Sequence, residues 1–225
     1  MSFSDFKSVQ KVADKYNITT LKGDFTSKTS EFTLNQYFID DINKGLKLRK
    51  SNSSEYFLCE FLISPVLFEV LKSHQKLNLW SHDCFIETGD IELSGIPDYI
   101  ISYKGEIEDY EQLIFPLLTI ADAKKDDFAG GWAQTLAEMI ACQKLNKDSN
   151  LNIFGIVTNG TVWEFGILKG DTFIKDDVSY SISFNLNKIA GIIDYIYTQT
   201  TNQVEKYLKD NNIPIRKATN RVDGW

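Results

Sequence analysis

Three polar residues stand at the ends of apolar runs, and their types suit carboxylate and lysine chemistry. Asp98 opens the run DYIISY, and Asp122 and Lys124 close the run LLTIADAK. Residues two apart in a β-strand point to the same face, so the side chains of Asp122 and Lys124 are expected to project together. If the two runs pair as neighbouring strands, the sequence predicts two carboxylates and one ammonium group at a single place on a sheet.

A hairpin through the acidic loop KGEIEDYEQ would produce this pairing. Ala123 would turn its side chain to the opposite face and leave its carbonyl oxygen available. Mg²⁺ and Mn²⁺ prefer oxygen ligands, and one or two carboxylates with waters and phosphate oxygens suffice. Such an ion activates a water and neutralises charge on phosphorus, while a lysine steadies the hydroxide or the phosphate. We therefore expect phosphodiester hydrolysis, with Asp98, Asp122 and the Ala123 carbonyl holding Mg²⁺ or Mn²⁺ and Lys124 orienting the water.

Residues that other hydrolytic sites would use are scarce. The motifs GxxxxGK[ST], HExxH, CxxC and GxSxG do not occur. His74 and His82 are the only histidines, too few for a histidine-based metal site, and both are expected to have ordinary structural roles. Cys59, Cys84 and Cys142 are widely spaced and odd in number, which predicts reduced, mostly buried thiols. The start MSFSDFKSVQ lacks the apolar core of a signal peptide, and no run could span a membrane, so a cytoplasmic protein is expected.

The charge is unevenly distributed along the chain. The net charge is −7, yet residues 83–127 contain twelve acidic and three basic residues, so the remainder is weakly positive. Two basic clusters, one before residue 51 and one at the carboxyl end, are candidate contacts for nucleic-acid phosphates, although charge runs are more often solvated faces. Their cations are Lys44, Lys47, Arg49, Lys50, Arg216, Lys217 and Arg221.

The first part of the chain has helical periodicity. Apolar residues recur at helical spacing near the start, and EFTLNQYFIDDINKGL is expected to end with Gly45 close to a C-cap. Residues 1–50 are therefore predicted to be a helical prefix packed on the core, and residues 51–225 the main domain, within one globular unit. The stretch SNSSEYFLCEFLISPVLFEV predicts a long helix with a bend near Pro65.

Strand-like runs follow, and one helix interrupts them. The strand candidates are LWSHDCFIE, DYIISYK, QLIFPLLTIADAK, LNIFGIVTNG and TVWEFGILKG. GGWAQTLAEMIACQKLNK predicts a helix between the third and fourth strands, and another helix is expected over about 185–210. This order indicates an α/β fold with a mixed β-sheet flanked by helices. No apolar run is long enough to span a membrane, so no membrane contact is expected.

The motifs IPD, ADAK and GGWAQTLAEM, with SSEYFLCEFLISPVL upstream, resemble the PD-(D/E)xK nuclease superfamily. The resemblance spans roughly residues 54–168 and is strongest to the nuclease domains of type I restriction motor subunits and to small stand-alone relatives. It implies a restriction-endonuclease-like core and a metal-dependent (endo)deoxyribonuclease. DNA is the substrate that it favours, with a role in restriction, defence or DNA processing.

The resemblance also implies roles for individual residues. Asp98 matches the motif aspartate, Asp122 the second acidic ligand (here Asp where Glu is commoner), and Lys124 the catalytic lysine. Gln134 matches a glutamine that reaches back to the site from the next helix. Glu55 and Glu60 are both candidates for a further acid on the preceding helix, and because they lie about 140° apart around it, only one is expected to face the metal.

Other functions remain open from the sequence. Asp and Lys at strand ends often form weak surface ion pairs without any chemistry. A catalytically inactive nuclease-fold module that binds nucleic acid or a partner protein is the main alternative. A homodimer or a subunit of a larger restriction or defence complex is a further one.

Overall fold

The computed structural model describes residues 3–105, 115–124 and 127–213. The cations Arg216, Lys217 and Arg221 lie outside the described residues. The helices are α1 (Val9–Tyr16), α2 (Gln36–Leu48), α3 (Glu55–Leu58), a π-helical turn (Cys59–Ile63), α4 (Ser64–Leu71), α5 (Phe128–Asn146) and α6 (Ile182–Asp210), with short 3₁₀ turns at Phe3–Asp5 and Ile91–Leu93. The strands are β1 (Thr19–Gly23), β2 (Leu77–Ser81), β3 (Tyr99–Tyr103), β4 (Thr119–Ala123), β5 (Ile153–Thr158), β6 (Val162–Lys169), β7 (Thr172–Asp176) and β8 (Tyr180–Ser181).

The strands form one eight-stranded mixed sheet in the order β1-β7-β6-β5-β4-β3-β2, with β8 paired to β6. Strand β3 is antiparallel to both of its neighbours, β2 and β4, whereas β5 is parallel to β4. Helix α5 connects β4 to β5, because a parallel pair needs a long crossover. The predicted α/β fold with a mixed, helix-flanked sheet is confirmed.

The two faces of the sheet carry different helices. On one face, Gly155 and Gly166 leave room for Trp132 of α5, whose ring would meet a Cβ added at either glycine. On the other face, Thr119 shares a 2.7 Å hydrogen bond between hydroxyl groups with Thr200 of α6. Since strand residues alternate between faces, Asp122 on β4 is directed towards α5.

The first fifty residues are not only helical. β1 lies in this segment and pairs in parallel with β7, so the prediction of a purely helical prefix was wrong there. β1 is a largely exposed edge strand, and its residues therefore lack the apolar alternation that marks a half-buried strand.

Helix α2 also differs from the expectation at both ends. It begins at Gln36, where Asn35 caps it by accepting a 2.9 Å hydrogen bond from the Phe38 N–H. Gly45 lies inside the helix rather than beyond its end, and a Cβ there would come within 2.9 Å of the Phe61 carbonyl oxygen. Because Gly45 has no side chain, α2 can pack closely on the π-helical turn.

A continuous helical stretch runs from α3 to α4 through the π-helical turn. Ser54 caps its start by accepting a 3.2 Å hydrogen bond from the Phe57 N–H. The Ser64 N–H bonds to the Cys59 carbonyl, five residues back, immediately before Pro65, which has no N–H to donate. The irregularity predicted near Pro65 is therefore a π turn.

Several smaller expectations have clear outcomes. The first strand candidate ends at Ser81, and the remainder of LWSHDCFIE forms only an isolated bridge between Ile86 and Gly95. The cysteines are free thiols, with Cys59 and Cys142 buried and Cys84 half-buried. Within the described ranges, no helix has both the length and the apolar character needed to cross a bilayer.

Candidate functional site

Asp98 lies beside the end of β4, as the two paired strands require. Tyr99 is opposite Ala121 in the antiparallel ladder, so Asp98 lies opposite Asp122 one step further along. The Ala123 N–H donates a 2.7 Å hydrogen bond to Oδ2 of Asp98. The predicted pairing of the two apolar runs is therefore present, and it brings Asp98 and Asp122 to one end of the sheet.

Lys124 follows β4 and turns its ammonium group towards these carboxylates. Its Nζ is 3.9 Å from Oδ2 of Asp98, with side chains only 20% and 15% exposed. Burial by itself lowers the pKa of Lys124, but the carboxylates of Asp122, Asp98 and Glu55 outweigh it and raise the pKa above its usual value. Lys124 is therefore a firmly protonated cation beside two carboxylates.

Helix α5 leaves space for Lys124 at a glycine. A Cβ added at Gly131 would lie 2.8 Å from Cγ of Lys124 and 2.9 Å from Cγ1 of Val157. Any larger residue would therefore displace the lysine side chain.

Asp122 is fully buried, and α5 supplies hydrogen bonds to both of its oxygens. Gln134 Nε2 lies 3.4 Å from Oδ1, and the Thr135 hydroxyl donates to Oδ2. Burial and then the charge of Asp98 raise the pKa of Asp122 to about 6. Gln134 thus reaches back to the site as expected, and Thr135 is an additional contact that sequence reasoning missed.

Glu138 is a third carboxyl group that the sequence reasoning missed. It is fully buried, and Gln134 Nε2 donates a 3.0 Å hydrogen bond to its Oε1. Burial and then Asp122 raise its pKa well above the usual value. Among the described residues no hydrogen-bond partner reaches its Oε2, and a hydrogen bond between the Glu138 and Asp122 carboxyl groups requires that one of them carry a proton.

His82 lies against Asp98, although the sequence predicted only an ordinary structural role for it. Its ring atom Nε2 is 3.4 Å from Oδ1 of Asp98, and its backbone N–H donates a 2.8 Å hydrogen bond to the Asp98 backbone carbonyl. Nδ1 is 3.1 Å from the Ser81 hydroxyl oxygen. The backbone of His82 is left-handed, with φ of 54°, which is uncommon for a residue other than glycine.

The two glutamates of the preceding helix have different surroundings. Glu55, in the first turn of α3, is among the carboxylates that raise the pKa of Lys124, and it also acts on Cys59. Glu60 is exposed on the π-helical turn. Of the two candidates, Glu55 is therefore the one whose charge acts on the site.

The first basic cluster lies at the end of α2. Lys44 is held by Asp41 at 2.9 Å, which raises the pKa of this exposed lysine. Lys47 and Lys50 are exposed, and Arg49 is half-buried at the C-cap.

The donor set suits a hard cation but supplies few side chains. Within the residues that the structure describes, no group of three or more His, Cys, Asp or Glu side chains is arranged to hold a metal ion. Mg²⁺ does not require three, because one or two carboxylates with waters and phosphate oxygens suffice. Burial and then the neighbouring carboxylates raise the pKa values of Asp122 and Glu138, and a cation bound here would favour the charged forms of both groups. The residues therefore fit a divalent ion.

A cavity of about 1120 Å³ lies away from this site. Phe68 of α4, Leu77 of β2 and Glu205 of α6 line it, together with His74 and Lys104. His74 is held by a 2.8 Å contact with Asp194.

Comparison with protein-family models gives no match, and comparison with curated proteins gives none either. The resemblance to the PD-(D/E)xK superfamily accordingly stays a prediction that depends on the residues described above.

Proposed function

We propose that this chain is a divalent-metal-dependent nuclease that hydrolyses phosphodiester bonds in DNA. The observation that carries the proposal is the meeting of Asp98, Asp122 and Lys124 at the ends of two paired strands, where Lys124 Nζ is 3.9 Å from Asp98 Oδ2. An isolated surface ion pair would be solvated, whereas Asp122 here is fully buried.

The strand arrangement supports a restriction-endonuclease-like core. Three antiparallel strands, β2 to β4, are followed by helix α5 and by β5, which is parallel to β4. The acidic residues lie beside β3 and on β4, and Gln134 lies on α5. The order of the elements and the positions of the motif residues on them both agree with the resemblance.

The chain's own residues have distinct tasks in the proposed reaction. Asp98, Asp122 and the Ala123 carbonyl would hold Mg²⁺ or Mn²⁺, which supplies an activated water and charge neutralisation at phosphorus. The protonated Lys124 would orient the attacking oxygen and attract the phosphate. Gln134 would hold Asp122 in place, while Glu55 contributes negative charge beside Lys124.

The first test is metal binding at the named carboxylates. Mg²⁺ and Mn²⁺ should raise the Tm of the wild type, because a ligand that binds only the folded state stabilises it. Asp98→Asn and Asp122→Asn should remove that rise, whereas Asp148→Asn, in the turn after α5, should keep it. Equal shifts in all four proteins would place the ion elsewhere and remove the basis of the proposal.

One feature favours a second candidate, a catalytically inactive nuclease-fold module that binds nucleic acid or a partner protein. Both oxygens of the buried Asp122 already accept hydrogen bonds from α5, as a purely structural aspartate would. This module would bind DNA equally well in EDTA and in Mg²⁺ and would show no metal-dependent rise in Tm.

The proposed nuclease also has proposed binding partners. DNA is the proposed partner, and a place in a restriction or defence assembly follows from the resemblance alone. Gel filtration of the purified protein, with and without DNA, would report a homodimer.

A further inference from the structure

Helix α2 and the helical stretch from α3 to α4 form an antiparallel hairpin. At one end, Asn35 Nδ2 donates a 3.3 Å hydrogen bond to Glu69. In the middle, Gly45 packs on the backbone of Phe61. At the other end, the Lys50 N–H donates a 2.8 Å hydrogen bond to the Ser53 hydroxyl within a tight turn. We call residues 47–56, which form this last end, the hairpin tip.

The hairpin tip lies next to the carboxylate site. Leu62, two turns after Glu55, packs on Gly160 in the loop after β5, where an added Cβ would lie 3.0 Å from Cβ of Leu62. At the end of the same strand, the Thr158 carbonyl accepts a 2.8 Å hydrogen bond from the Lys124 N–H. Consistent with this placement, the charge of Glu55 helps to raise the pKa of Lys124. A strand of nucleic acid with its phosphate at Asp98 and Lys124 would therefore pass the tip.

The hairpin tip is cationic and carries an exposed aromatic ring. Its sequence, KLRKSNSSEY, contains three cations and one acidic residue in a chain whose net charge is −7. Lys47 and Lys50 are exposed, and no described ion pair neutralises either of them. Tyr56 is 74% exposed. This combination of basic groups and a free aromatic face suits a nucleic-acid strand.

We propose that the hairpin tip binds a single-stranded stretch of nucleic acid beside the cleavage site, an inference that rests on the proposed function. Lys47 and Lys50 contact phosphates, and the ring of Tyr56 stacks on a base. In a duplex the base faces are covered by neighbouring pairs, so a ring that stacks on a base requires an unpaired one. The proposed substrate is thus a single strand, or a duplex with an unpaired segment at the cut.

Binding in EDTA tests this inference without requiring cleavage. Fluorescence anisotropy with a labelled 20-nucleotide single strand and its matching duplex should show tighter binding to the single strand. Tyr56→Ala should weaken single-strand binding roughly 5- to 100-fold, and Tyr56→Phe, which keeps the ring, should restore most of it. The matched control is Tyr37→Ala, because Tyr37 is 85% exposed but lies at the opposite end of α2.

Salt dependence tests the two cations separately. For the double variant Lys47→Ala/Lys50→Ala, the slope of log affinity against log salt concentration should be smaller by about 1.4, since each phosphate contact in a single strand contributes about 0.7. Both lysines are exposed, so the variant is expected to fold. Circular dichroism melting of every variant confirms the fold before binding is compared.

Three results would overturn the inference: equal affinity for the single strand and the duplex, an equal effect of Tyr56→Ala and Tyr37→Ala, or an unchanged salt slope. Failure of the nuclease proposal is distinct, because it appears as missing cleavage while single-strand binding in EDTA persists.

Discussion

The N–H of Ala123 donates a 2.7 Å hydrogen bond to Oδ2 of Asp98, and so the carboxylate that precedes β3 is fixed to the end of β4. The same contact leaves Oδ1 of Asp98 facing His82. The pairing of β3 with β4 therefore also fixes the position of the Asp98 carboxylate. A slip of the β3–β4 register by one residue would turn Asp98 to the opposite face and dismantle the site.

The buried carboxyl groups predict that the protein becomes less stable as pH rises. The pKa of Asp122 is about 6 in the folded protein against 3.8 when it is exposed, so the folded state binds more protons between these values. The contribution of Asp122 to the free energy of unfolding is therefore fully present below about pH 4 and is lost as the pH rises through about 6. The raised pKa of Glu138 extends the loss to higher pH. Tm measured across pH 5 to 8 without divalent ions checks this.

Two substitutions separate this effect from general charge effects. Asp122→Asn and Glu138→Gln each remove one of the two buried carboxyl groups and should flatten the fall in Tm with pH. Glu87→Gln, in a loop outside the site, should leave the slope unchanged. A wild-type Tm that is level or rises over this range would contradict the account.

Divalent ions should stabilise the protein more at high pH than at low pH. An ion that binds Asp122 must displace the proton held there, which costs free energy below the pKa of about 6. The rise in Tm with saturating Mg²⁺ is thus expected to be larger at pH 8 than at pH 5. An equal rise at both values would show that the ion does not bind Asp122.

Gly131→Ala should impair cleavage by displacing Lys124, at a moderate loss of stability. The new methyl group would meet the Lys124 side chain 2.8 Å away, and the flexible lysine would move aside. We expect a loss in kcat of about tenfold to a hundredfold, because a displacement of about 1 Å near a reacting centre has effects of this size. The added methyl group would also crowd the buried Val157, 2.9 Å away, so stability should fall by about 1–3 kcal/mol, which higher helix propensity offsets only in part. Unchanged kcat with an ordered Lys124 would argue against its role.

His82→Gly and His82→Ala separate the backbone of this residue from its imidazole. Both remove the contact with Asp98, but only glycine adopts a φ of 54° without strain. His82→Gly should therefore be more stable than His82→Ala by about 1 kcal/mol. Both should lose cleavage or metal affinity to a similar degree, roughly 10- to 100-fold, as expected for a residue that orients a metal ligand. Chemical denaturation and Mg²⁺ titration of cleavage give the two numbers, and full activity in both variants would exclude an orienting role.

The sequence predicted the elements around the site because their signals are local. Asp98 and Asp122 interrupt apolar runs, and those runs prove to be β3 and β4. Helix α5 was predicted between its two strands for the same reason, since its composition and flanking turns mark it without reference to distant residues.

The missed features depend on contacts between distant parts of the chain. β1 joins the sheet only through β7, more than 150 residues later, and its own residues are mostly exposed. Glu138 lies in a helix that is buried on nearly all sides, so no polar face marks it as unusual. Its spacing of four residues from Gln134 was the available signal, because side chains four apart on a helix are neighbours. The contact of His82 with Asp98 depends on a left-handed turn that the residue types did not reveal.

Cleavage of plasmid DNA by the wild type and by Lys124→Ala, side by side in Mg²⁺ and in Mn²⁺, tests the central claim most directly. Lys144→Ala is the matched control. Lys144 also forms an ion pair with an aspartate, with its Nζ 3.4 Å from Oδ2 of Asp90, but it lies outside the site. The wild type and Lys144→Ala should cut only when a divalent ion is present, and Lys124→Ala should be slower by about a hundredfold or more. Equal cutting by the wild type and Lys124→Ala would show that the chemistry does not take place at Asp98, Asp122 and Lys124.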